Sequence, residues 1–374
     1  MKDKVLIVTT TPYMIRQFLM NDIIILQELG YEVDVATNFQ SFNVIDEKSL
    51  LEFKSILNDK NITIHQIDFP RSIFSIKELI QSYMDIKKLL IKNNYKLMHT
   101  HTPIASVISR FVAKNISNMK VIYTAHGFHF FKGAPIQNWI IFYPIEKWLS
   151  KYTDVLITIN KEDFNRAKKK FKMKKIEYVP GVGINIDYIK NVNVNKEKLK
   201  KELNIPLKNK VIISVGELSK RKNHELVIKA LKDINNVTYI ICGQGNLKTH
   251  LNNLAKKNEV DLRLLGFRND RIELIKMSDL FVFPSLQEGL PVALMEAICC
   301  EIKCIASKIR GNVDLLKSSD TFDLKDINYL KNMIERDLHY NDINYQIYYK
   351  KNILKFDKNQ ITRSIRKIYS NMHI

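Results

Sequence analysis

Short apolar runs alternate with segments of helical periodicity from one end of the chain to the other. In the first half, the runs of strand length are Val5–Val8, Val33–Ala36, Ile62–Ile67, Leu97–Thr100, Val121–Thr124, Val155–Thr158 and Ile176–Val179. The helical segments between them are Ile15–Leu29, Ile76–Ile91, Ala105–Ala113, Asn138–Ser150 and Glu162–Phe171. Because such alternation favours a parallel sheet with helices on both faces, residues 1–184 predict a doubly wound α/β domain.

A polar stretch at 185–209, rich in asparagine and lysine, interrupts this pattern and predicts an interdomain linker. The alternation then restarts, with strands at Val211–Val215, Val237–Cys242, Leu262–Leu264, Leu280–Phe283 and Lys303–Ala306. The helical segments here are His224–Leu231, Leu247–Lys257, Arg271–Met277 and Leu290–Cys300. Residues 210–358 therefore predict a second α/β domain. A terminal helix follows at about 359–374, and its periodicity alone leaves open which domain it packs on.

Length and composition agree with a folded two-domain protein. The chain has 374 residues, 45% of them hydrophobic, and domains usually take about 100–200 residues each. The apolar start Val5–Val8 is too short for a signal peptide, and no run approaches the roughly 20 apolar residues of a membrane span. The longest candidate, Trp139–Leu149, is interrupted by Pro144 and two charged residues. We therefore expect a cytoplasmic protein.

The four cysteines do not predict a metal site. Three of them, Cys299, Cys300 and Cys304, form the string CCEIKC, whose spacing is not a usual zinc pattern. Cys242 stands alone at the end of a predicted strand. Their apolar surroundings predict buried thiols, which suits a reducing compartment.

The formal net charge of +20 admits three explanations. Nucleic acid is one, but the lysines are scattered and no nucleic-acid-binding motif accompanies them, so we expect no such partner. An anionic membrane surface is the second, because basic residues gain about 1 kcal/mol each there. A compositional drift toward lysine is the third, and charge alone does not choose among them.

The string FPSLQEGLPVALME, at 283–296, carries the most chemistry. Glu288 is placed in a loop and Glu296 about two turns into the following helix, since a turn takes 3.6 residues. Between the two carboxylates lie the first backbone N–H groups of that helix, which together with the helix dipole favour an anion. A phosphate flanked by two hydroxyl-binding carboxylates describes a sugar-nucleotide site. The alternative is that both glutamates are simply solvated.

This string resembles the E-x7-E motif of the retaining glycosyltransferases of family four, a GT-B family that includes capsule and exopolysaccharide enzymes. The resemblance implies two Rossmann-like domains facing a central cleft, an acceptor-side N-terminal domain, a donor-binding C-terminal domain and a C-terminal helix that returns to the first domain. It also implies metal-independent catalysis without a cofactor. By the resemblance, Glu296 binds the ribose hydroxyls, Glu288 binds sugar hydroxyls near the anomeric centre, and the amides near Gly289 and Leu290 hold the diphosphate.

Three further strings resemble donor-site elements of the family. In GELSKRKN, Lys222 matches a diphosphate-binding lysine, whereas Glu217 stands where an arginine is usual, so Arg221 or Lys220 is expected to supply the second cation. CGQGN carries Gly243 and Gly245 in a G-x-G turn, which equally well makes a tight strand–helix turn. In LLGFRND, the backbone near Phe267 and Arg268 is expected to contact the base.

The first domain carries the other candidates. In VIYTAHGFHFFK, His126 matches the histidine of a T-x-H-G element beside the reaction centre, and we predict that it is catalytic together with Glu288. His129 is the alternative, and a loop histidine that binds backbone groups is the plainer interpretation.

LMHTHTP places His99 and His101 on one face of a strand. A metal site formed by the two histidines is one alternative. An acceptor-side or structural role is favoured, and His101 is predicted to lie on the acceptor side. Thr10 and Thr11, where many relatives carry a glycine-rich turn, are predicted to contact donor or acceptor.

The function expected from the resemblance is transfer of a sugar from a nucleotide-diphosphate sugar, with a UDP-sugar favoured, to a glycan acceptor. A lipid-diphosphate-linked acceptor of bacterial surface polysaccharide synthesis is expected because HGFHFFKGAP resembles such enzymes. The aromatic segments 128–131 and 139–148, with lysines nearby, suit a peripheral membrane patch. Core packing explains them equally well. The alternative functions are a sugar-nucleotide epimerase and, less favoured, a nucleic-acid-binding protein.

Overall fold

The computed structural model describes residues 2–40, 47–339 and 343–372. Backbone contacts divide the chain into two compact units. Unit 1 comprises residues 1–182 together with 359–374, and unit 2 comprises residues 183–358. The segment 185–209 thus belongs to unit 2.

Unit 1 is built on a parallel sheet of seven strands in the order β3-β2-β1-β4-β5-β6-β7. The strands are β1 Lys4–Val8, β2 Glu32–Thr37, β3 Thr63–Gln66, β4 Leu97–His101, β5 Lys120–Ala125, β6 Val155–Thr158 and β7 Lys175–Tyr178. Its central strands are buried along almost their whole length because helices cover both faces of the sheet. Strand order reverses at β1, so β1 and β4 are neighbours, and their following loops leave the same edge.

The helices up to the end of the first sheet are α1 Pro12–Met14, α2 Met20–Glu28, α3 Glu47–Asp59, α4 Ile76–Asn93, α5 Pro103–Ala113, α6 Ile136–Leu149 and α7 Lys161–Lys170. A π-helical turn, Ile15–Leu19, joins α1 to α2, and a 3-10 turn, Ser150–Tyr152, follows α6. Helix α3 was not among the predicted helices, although Leu50, Phe53 and Leu57 lie buried at helical spacing along it. The segment 15–29, predicted as a single helix, consists of the π-helical turn followed by α2.

Unit 2 has a six-stranded parallel sheet in the order β10-β9-β8-β11-β12-β13. Its strands are β8 Lys210–Val215, β9 Val237–Cys242, β10 Asp261–Gly266, β11 Leu280–Phe283, β12 Lys303–Ser307 and β13 Thr321–Phe322. Its helices are α8 Ile186–Asn191, α9 Lys196–Glu202, α10 His224–Ala230, α11 Lys248–Lys257, α12 Arg271–Met277, α13 Val292–Cys299, α14 Asn312–Leu315, α15 Ile327–His339 and α16 Ile343–Ile353. Two 3-10 turns, Ser318–Asp320 and Leu354–Phe356, complete it. The α/β class with two doubly wound sheets is confirmed.

The polar segment 185–209 carries helices α8 and α9. Asn185 Oδ1 accepts a hydrogen bond from the Tyr188 amide at 3.0 Å, and Asn195 Oδ1 accepts one from the Lys198 amide at 3.0 Å. Asparagine is a favoured helix N-cap because its side-chain oxygen binds an otherwise unpaired amide. The asparagines that make this segment resemble a linker are therefore helix caps.

The last helix, α17 Lys358–Ser370, packs on the sheet of unit 1. Ile361, Ile365, Ile368 and Tyr369 are buried in the core cluster that also contains Val5 and Ile7 of β1. Chain residues more than 340 positions apart are joined here, since Asn21 Nδ2 donates to Thr362 Oγ1 at 3.0 Å. The helix closes one face of the first sheet.

Candidate active site

In unit 2, the residues predicted to bind a donor lie at one edge of the sheet. They follow four adjacent parallel strands: Glu217 and Lys222 after β8, Gly243 and Gly245 after β9, Phe267 and Arg268 after β10, and Glu288, Gly289 and Leu290 after β11. Loops after parallel strands share the carboxyl edge of a sheet, where α/β proteins bind ligands. The topology therefore brings together segments about 70 residues apart.

Glu288 is the centre of a charged cluster. Its Oε1 accepts hydrogen bonds from Lys222 Nζ at 2.7 Å and from an Arg221 guanidinium nitrogen at 3.0 Å. Both Lys222 and Glu288 are largely buried, with side chains 13% and 10% exposed, whereas Arg221 reaches into solvent. Of the two residues predicted to replace the usual arginine, Arg221 lies at the glutamate. Lys220 is exposed to solvent.

The Lys222 side chain is held from several sides. Its methylene groups lie over Gly216, where an added Cβ would come within 3.1 Å of them. Its amine lies 4.7 Å from the centre of the Phe283 ring. Burial lowers the pKa of the Lys222 amine, and the neighbouring Glu288 carboxylate opposes that fall. The result is a fixed cation at a dry position, the kind of group that stabilises charge on a phosphate.

The loop that carries Glu288 is anchored by the segment after β12. Arg310 Nε donates to the backbone carbonyl of Glu288 at 3.0 Å. Gly311, at φ +82°, lies so close that a Cβ there would be 2.4 Å from the carbonyl oxygen of Gly289. Only glycine combines this backbone angle with such an approach. Neither Arg310 nor Gly311 was among the predicted site residues.

Helix α13 begins one residue after Pro291, without a side-chain cap and without an acidic residue in its first turn. Its first amides and its dipole are therefore available to an anion beside Glu288. Glu296 lies in the second turn with its carboxylate buried and bound by both ends of the Arg271 guanidinium, at 2.9 and 2.7 Å. This bidentate pair fixes the orientation of the carboxylate and leaves its remaining lone pairs to accept from hydroxyl groups. Arg271 was not predicted to contribute.

Gly243 and Gly245 shape the site through the backbone. A Cβ on Gly243 would lie 1.8 Å from the carbonyl oxygen of Gly216, and one on Gly245 would lie 2.4 Å from that of Leu218. The Leu218 amide also donates to the Gln244 carbonyl at 2.9 Å. These glycines allow the loops after β8 and β9 to touch, so they position the segment that ends in Lys222.

The remaining predicted donor residues are at the surface. Phe267 is 72% exposed, and Arg268 is paired with Asp270 through two hydrogen bonds of 2.7 and 2.5 Å. The Glu217 side chain is exposed, while its backbone carbonyl lies 3.2 Å from Nε2 of His224. These residues line the same edge without joining the Lys222–Glu288 cluster.

In unit 1, the carboxyl edge of neighbouring strands β1, β4 and β5 gathers Thr10, His101 and His126. His101 Nδ1 and His126 Nε2 are 3.1 Å apart, and the rings of His99 and His101 lie with their centroids 4.1 Å apart. Burial lowers the pKa of His126 to about 4 and that of His99 to about 3. His126 is therefore a neutral hydrogen-bonding group at physiological pH.

His99 has a structural position. Its Nδ1 is 2.7 Å from the Tyr369 hydroxyl of α17, and its Nε2 is 2.8 Å from Thr124 Oγ1. Tyr369 in turn donates to Asp22 Oδ2 at 3.0 Å. Within the described ranges, Asp22, His99 and His101 form one group of possible metal ligands, with ligand atoms within 4.8 Å of one another. Because both ring nitrogens of His99 already have partners, a cation there would have to break this network.

Thr10 is hydrogen-bonded to Thr102, a strained residue that was not among the predicted site residues. Thr102, between β4 and α5, has φ +62°, which is unusual for a β-branched residue. Its Oγ1 accepts from the Thr10 amide at 3.0 Å and lies 2.7 Å from Thr10 Oγ1. Thr11 precedes the first turn of α1. Strain held by hydrogen bonds at the edge of a sheet is typical of functional loops.

The phenylalanines after His126 are buried in the core. Of the two interpretations of segment 128–131, core packing therefore applies and the membrane patch does not. Phe128, Phe130 and Phe131 are buried, with Phe128 and Phe130 stacked at 4.8 Å between centroids. By contrast, Trp148 on α6 is partly exposed. In the described parts of the chain, no helix combines the length and the apolar character that crossing a bilayer requires.

All four cysteines are buried and none forms a disulfide. Burial raises the pKa of Cys242 to about 12 and that of Cys299 to about 11. These thiols are therefore protonated at neutral pH, as expected for packing residues.

We expect the buried carboxyl of Asp22 to make the stability of unit 1 depend on pH. Burial raises the pKa of its carboxyl to about 7, while the hydrogen bond from Tyr369 acts in the opposite direction. A raised pKa stabilises the fold below the unfolded pKa of about 3.8, and this stability is lost as the pH rises through 7. Asp22→Asn should thus gain about 2–3 kcal/mol relative to wild type between pH 5 and pH 8.

Urea unfolding monitored by tryptophan fluorescence measures this difference, because both tryptophans, Trp139 and Trp148, lie in unit 1. The exposed Asp59→Asn, in the same unit, serves as the control for the loss of a carboxyl group. An Asp22→Asn difference of equal size at pH 5 and pH 8 would mean that the carboxyl is ionised in the folded protein.

Comparison with known proteins identifies the class. Residues 4–160 match the model described as glycosyl transferase 4-like, and residues 195–347 match that of glycosyl transferases group 1. The putative glycosyltransferase EpsD of Bacillus subtilis is 32% identical over 331 residues, which cover 86% of this chain and 82% of the relative. A UDP-Gal:alpha-D-GlcNAc-diphosphoundecaprenol alpha-1,3-galactosyltransferase of Escherichia coli is 32% identical over 284 residues, 71% of this chain and 72% of the relative.

The structure matches a crystal structure of HepE of Anabaena in complex with UDP and glucose, with a TM-score of 0.74 at 17% identity over 99% of this chain and all of the other. The predicted GT-B fold is confirmed by this likeness. The chain belongs to the group 1 glycosyltransferases of family four, and the protein is a glycosyltransferase.

Proposed function

We propose that this glycosyltransferase moves a sugar from a UDP-sugar to a lipid-diphosphate-linked glycan, with retention of anomeric configuration, in bacterial surface polysaccharide synthesis. The names of its relatives support the substrate classes, since one acts on a diphosphoundecaprenol-linked sugar and a solved neighbour binds UDP. We further propose that it works in the cytoplasm, in contact with the anionic inner face of the membrane.

The observation that carries the proposal is the cluster of Lys222, Arg221 and Glu288 beside the uncapped start of α13. When the bond to the sugar breaks, the leaving diphosphate gains one negative charge beyond the two that it already carries. Two cations and a set of helix amides stabilise that charge without a metal ion, which favours metal-independent transfer. Glu288 holds the cations in place and, with its remaining lone pairs, accepts from hydroxyl groups of the sugar.

Glu296 is proposed to bind the ribose. Its buried carboxylate is oriented by Arg271 and can accept from two vicinal hydroxyls at once. Burying a carboxylate costs desolvation free energy, and hydrogen bonds from ribose hydroxyls would offset the part that Arg271 does not. This role needs no proton transfer by Glu296.

His126 is proposed to contact the transferred sugar. Of its two nitrogens, Nε2 pairs with His101, so Nδ1 is the one that faces a substrate. When Nε2–H donates to His101, the Nδ1 lone pair accepts from a sugar hydroxyl and lies near the positive charge that develops at the anomeric carbon. In a retaining transfer the acceptor hydroxyl attacks the face from which the diphosphate departs. Its proton then passes to the leaving phosphate oxygen.

Calorimetric melting of the full chain with a panel of nucleoside diphosphates, with and without chelator, tests the donor site. Saturating UDP should raise the melting temperature of the transition that contains unit 2 by about 5 °C or more, and chelator should not reduce the shift. Glu296→Ala should weaken UDP and uridine by the same factor of about ten, because it removes the ribose contacts.

The exposed Glu197→Ala serves as the matched control and should bind like wild type. A shift with another nucleotide would replace UDP in the proposal. If no nucleotide of the panel shifts the transition, the proposed donor site is wrong.

A further inference from the structure

Unit 1 contains a cavity to which the proposed function assigns no ligand. Its volume is about 290 Å³, and its walls come from α4, α5, α6 and the loop after β5. Apolar side chains dominate these walls, among them Leu79, Val107, Ile108, Phe128, Phe142 and Ile145. The carboxylate of Glu146 at its wall is already paired with Arg110 at 2.7 Å, so this inner chamber presents no unpaired charge there.

A second cavity of about 550 Å³ adjoins the inner chamber. The two have lining residues in common, namely Ile73, Pro103, Ile104, His129 and Phe142. The outer chamber differs in its polar residues, which are Thr10, Arg71, Ser72, Gln137 and Asn138. Together the chambers form one amphiphilic site with an apolar inner end and a polar outer end.

The polar end favours a negative charge. Arg71 is the cation among the residues that line the two chambers, and it is exposed. The first turns of α5 and α6 both border the outer chamber, and neither contains an acidic residue. Two helix N-termini and an arginine around one cavity are a favourable setting for a phosphate group.

The inner chamber fits part of a hydrocarbon chain. A cavity of roughly 150 Å³ in a protein core holds one benzene molecule, so the chamber has room for about two groups of that size. That is the size of two isoprene units. Phe74, which lines the outer chamber, is 81% exposed, so its ring is accessible to a hydrocarbon chain at that end.

We propose that these chambers bind the isoprenoid diphosphate of the acceptor. The diphosphate occupies the outer chamber near Arg71 and the start of α6, and the first isoprene units enter the inner chamber. This inference rests on the proposed function, since it places the lipid end of the proposed acceptor. It also places the diphosphate beside Thr10, which hydrogen bonds connect through Thr102 to His101 and from there to His126.

Binding of farnesyl diphosphate to the full chain tests this site. Saturating UDP is present so that the donor site does not compete for the diphosphate, and farnesol and inorganic pyrophosphate are the partial ligands. Wild type should bind farnesyl diphosphate at least tenfold more tightly than either partial ligand. Arg71→Glu should weaken farnesyl diphosphate about tenfold or more and leave farnesol within twofold.

Filling the inner chamber should have a different signature. Val107→Trp should weaken farnesyl diphosphate and farnesol alike by at least tenfold, because both lose the apolar space. Ile145→Trp at the partly exposed wall is the second variant if Val107→Trp alters the fold. Arg363→Glu, on α17 and outside both chambers, is the charge control and should change neither ligand.

The outcomes separate this inference from the proposed function. Equal affinity for farnesol and farnesyl diphosphate would overturn the inference. Farnesyl diphosphate binding as tight as in wild type would also overturn it, whether in Arg71→Glu or in both Val107→Trp and Ile145→Trp. UDP binding in the same samples reports the donor site independently. If UDP binds and a water-soluble glycan accepts sugar while farnesyl diphosphate does not bind, the inference fails alone. If UDP does not bind but the lipid arms behave as expected, the donor proposal fails and the lipid site stands.

Discussion

Lys222→Met should lower kcat for sugar transfer by about two to three orders of magnitude. The amine sits 2.7 Å from Glu288 Oε1 and against the Phe283 ring, so little water surrounds it. In such a place a fixed cation stabilises developing charge on a diphosphate more strongly than it would in water. Methionine fills the same space without the charge, so packing over Gly216 should be retained.

The role on the phosphate is separated from other roles by comparing two ligands. Lys222→Met should weaken UDP about tenfold or more and leave uridine within twofold, because uridine lacks the groups that the amine binds. Lys220→Met is the matched control, since this lysine lies in the same loop but is exposed. It should keep wild-type kcat and UDP affinity.

Equal weakening of UDP and uridine by Lys222→Met would show that the lysine acts through the shape of the loop. A kcat within threefold of wild type would place the diphosphate elsewhere. The result expected of Lys222→Met, weaker UDP binding with uridine binding retained, is distinct from that expected of Glu296→Ala, in which UDP and uridine are weakened together.

Most strands of this protein were predictable because both faces of each central strand are buried. The predicted strands 155–158 and 280–283 coincide with β6 and β11, for example. Composition misled where polar residues have a local structural task. The asparagines at 185 and 195 cap helices. For the phenylalanines at 128 and 130, composition left both a surface and a core position open, and they stack in the core.

The site was predictable only as far as its residues are close in sequence. The spacing of Glu288 and Glu296 across a helix start is a local feature, and it was recognised from the string alone. Arg310 follows β12 and reaches Glu288 because β11 and β12 are neighbours in the sheet. Arg271 reaches Glu296 across 25 residues. No local pattern reports such pairs, because the fold creates them.

The same reasoning explains the histidines of unit 1. The alternation of strand residues predicted that His99 and His101 share a face, but their partners come from far along the chain. Tyr369 lies 270 residues after His99 and completes its hydrogen bonds. His101 is then the link to His126, since its Nδ1 lies 3.1 Å from His126 Nε2. We propose that the other ring nitrogen of His126, Nδ1, contacts a substrate.

His126→Ala should reduce kcat about 10²-fold or more, with little change in the affinity for UDP. The kcat falls while the affinity for UDP is retained because His126 is proposed to contact the transferred sugar, which UDP lacks. Since burial lowers the pKa of His126 to about 4, the imidazole is neutral throughout pH 6–8. The wild-type rate should therefore show no titration of this residue across that range, and it should fall only as the pH approaches 4.

Hydrolysis of the donor in the absence of acceptor is the measurement that isolates His126, because water replaces the acceptor and leaves the sugar contacts unchanged. His129→Ala should keep this hydrolysis, since the His129 ring stacks on Phe142 at 4.6 Å and lines the two chambers. The exposed His250→Ala is the control for loss of a histidine. If His129→Ala abolishes hydrolysis and His126→Ala does not, the catalytic assignment moves two residues along the loop.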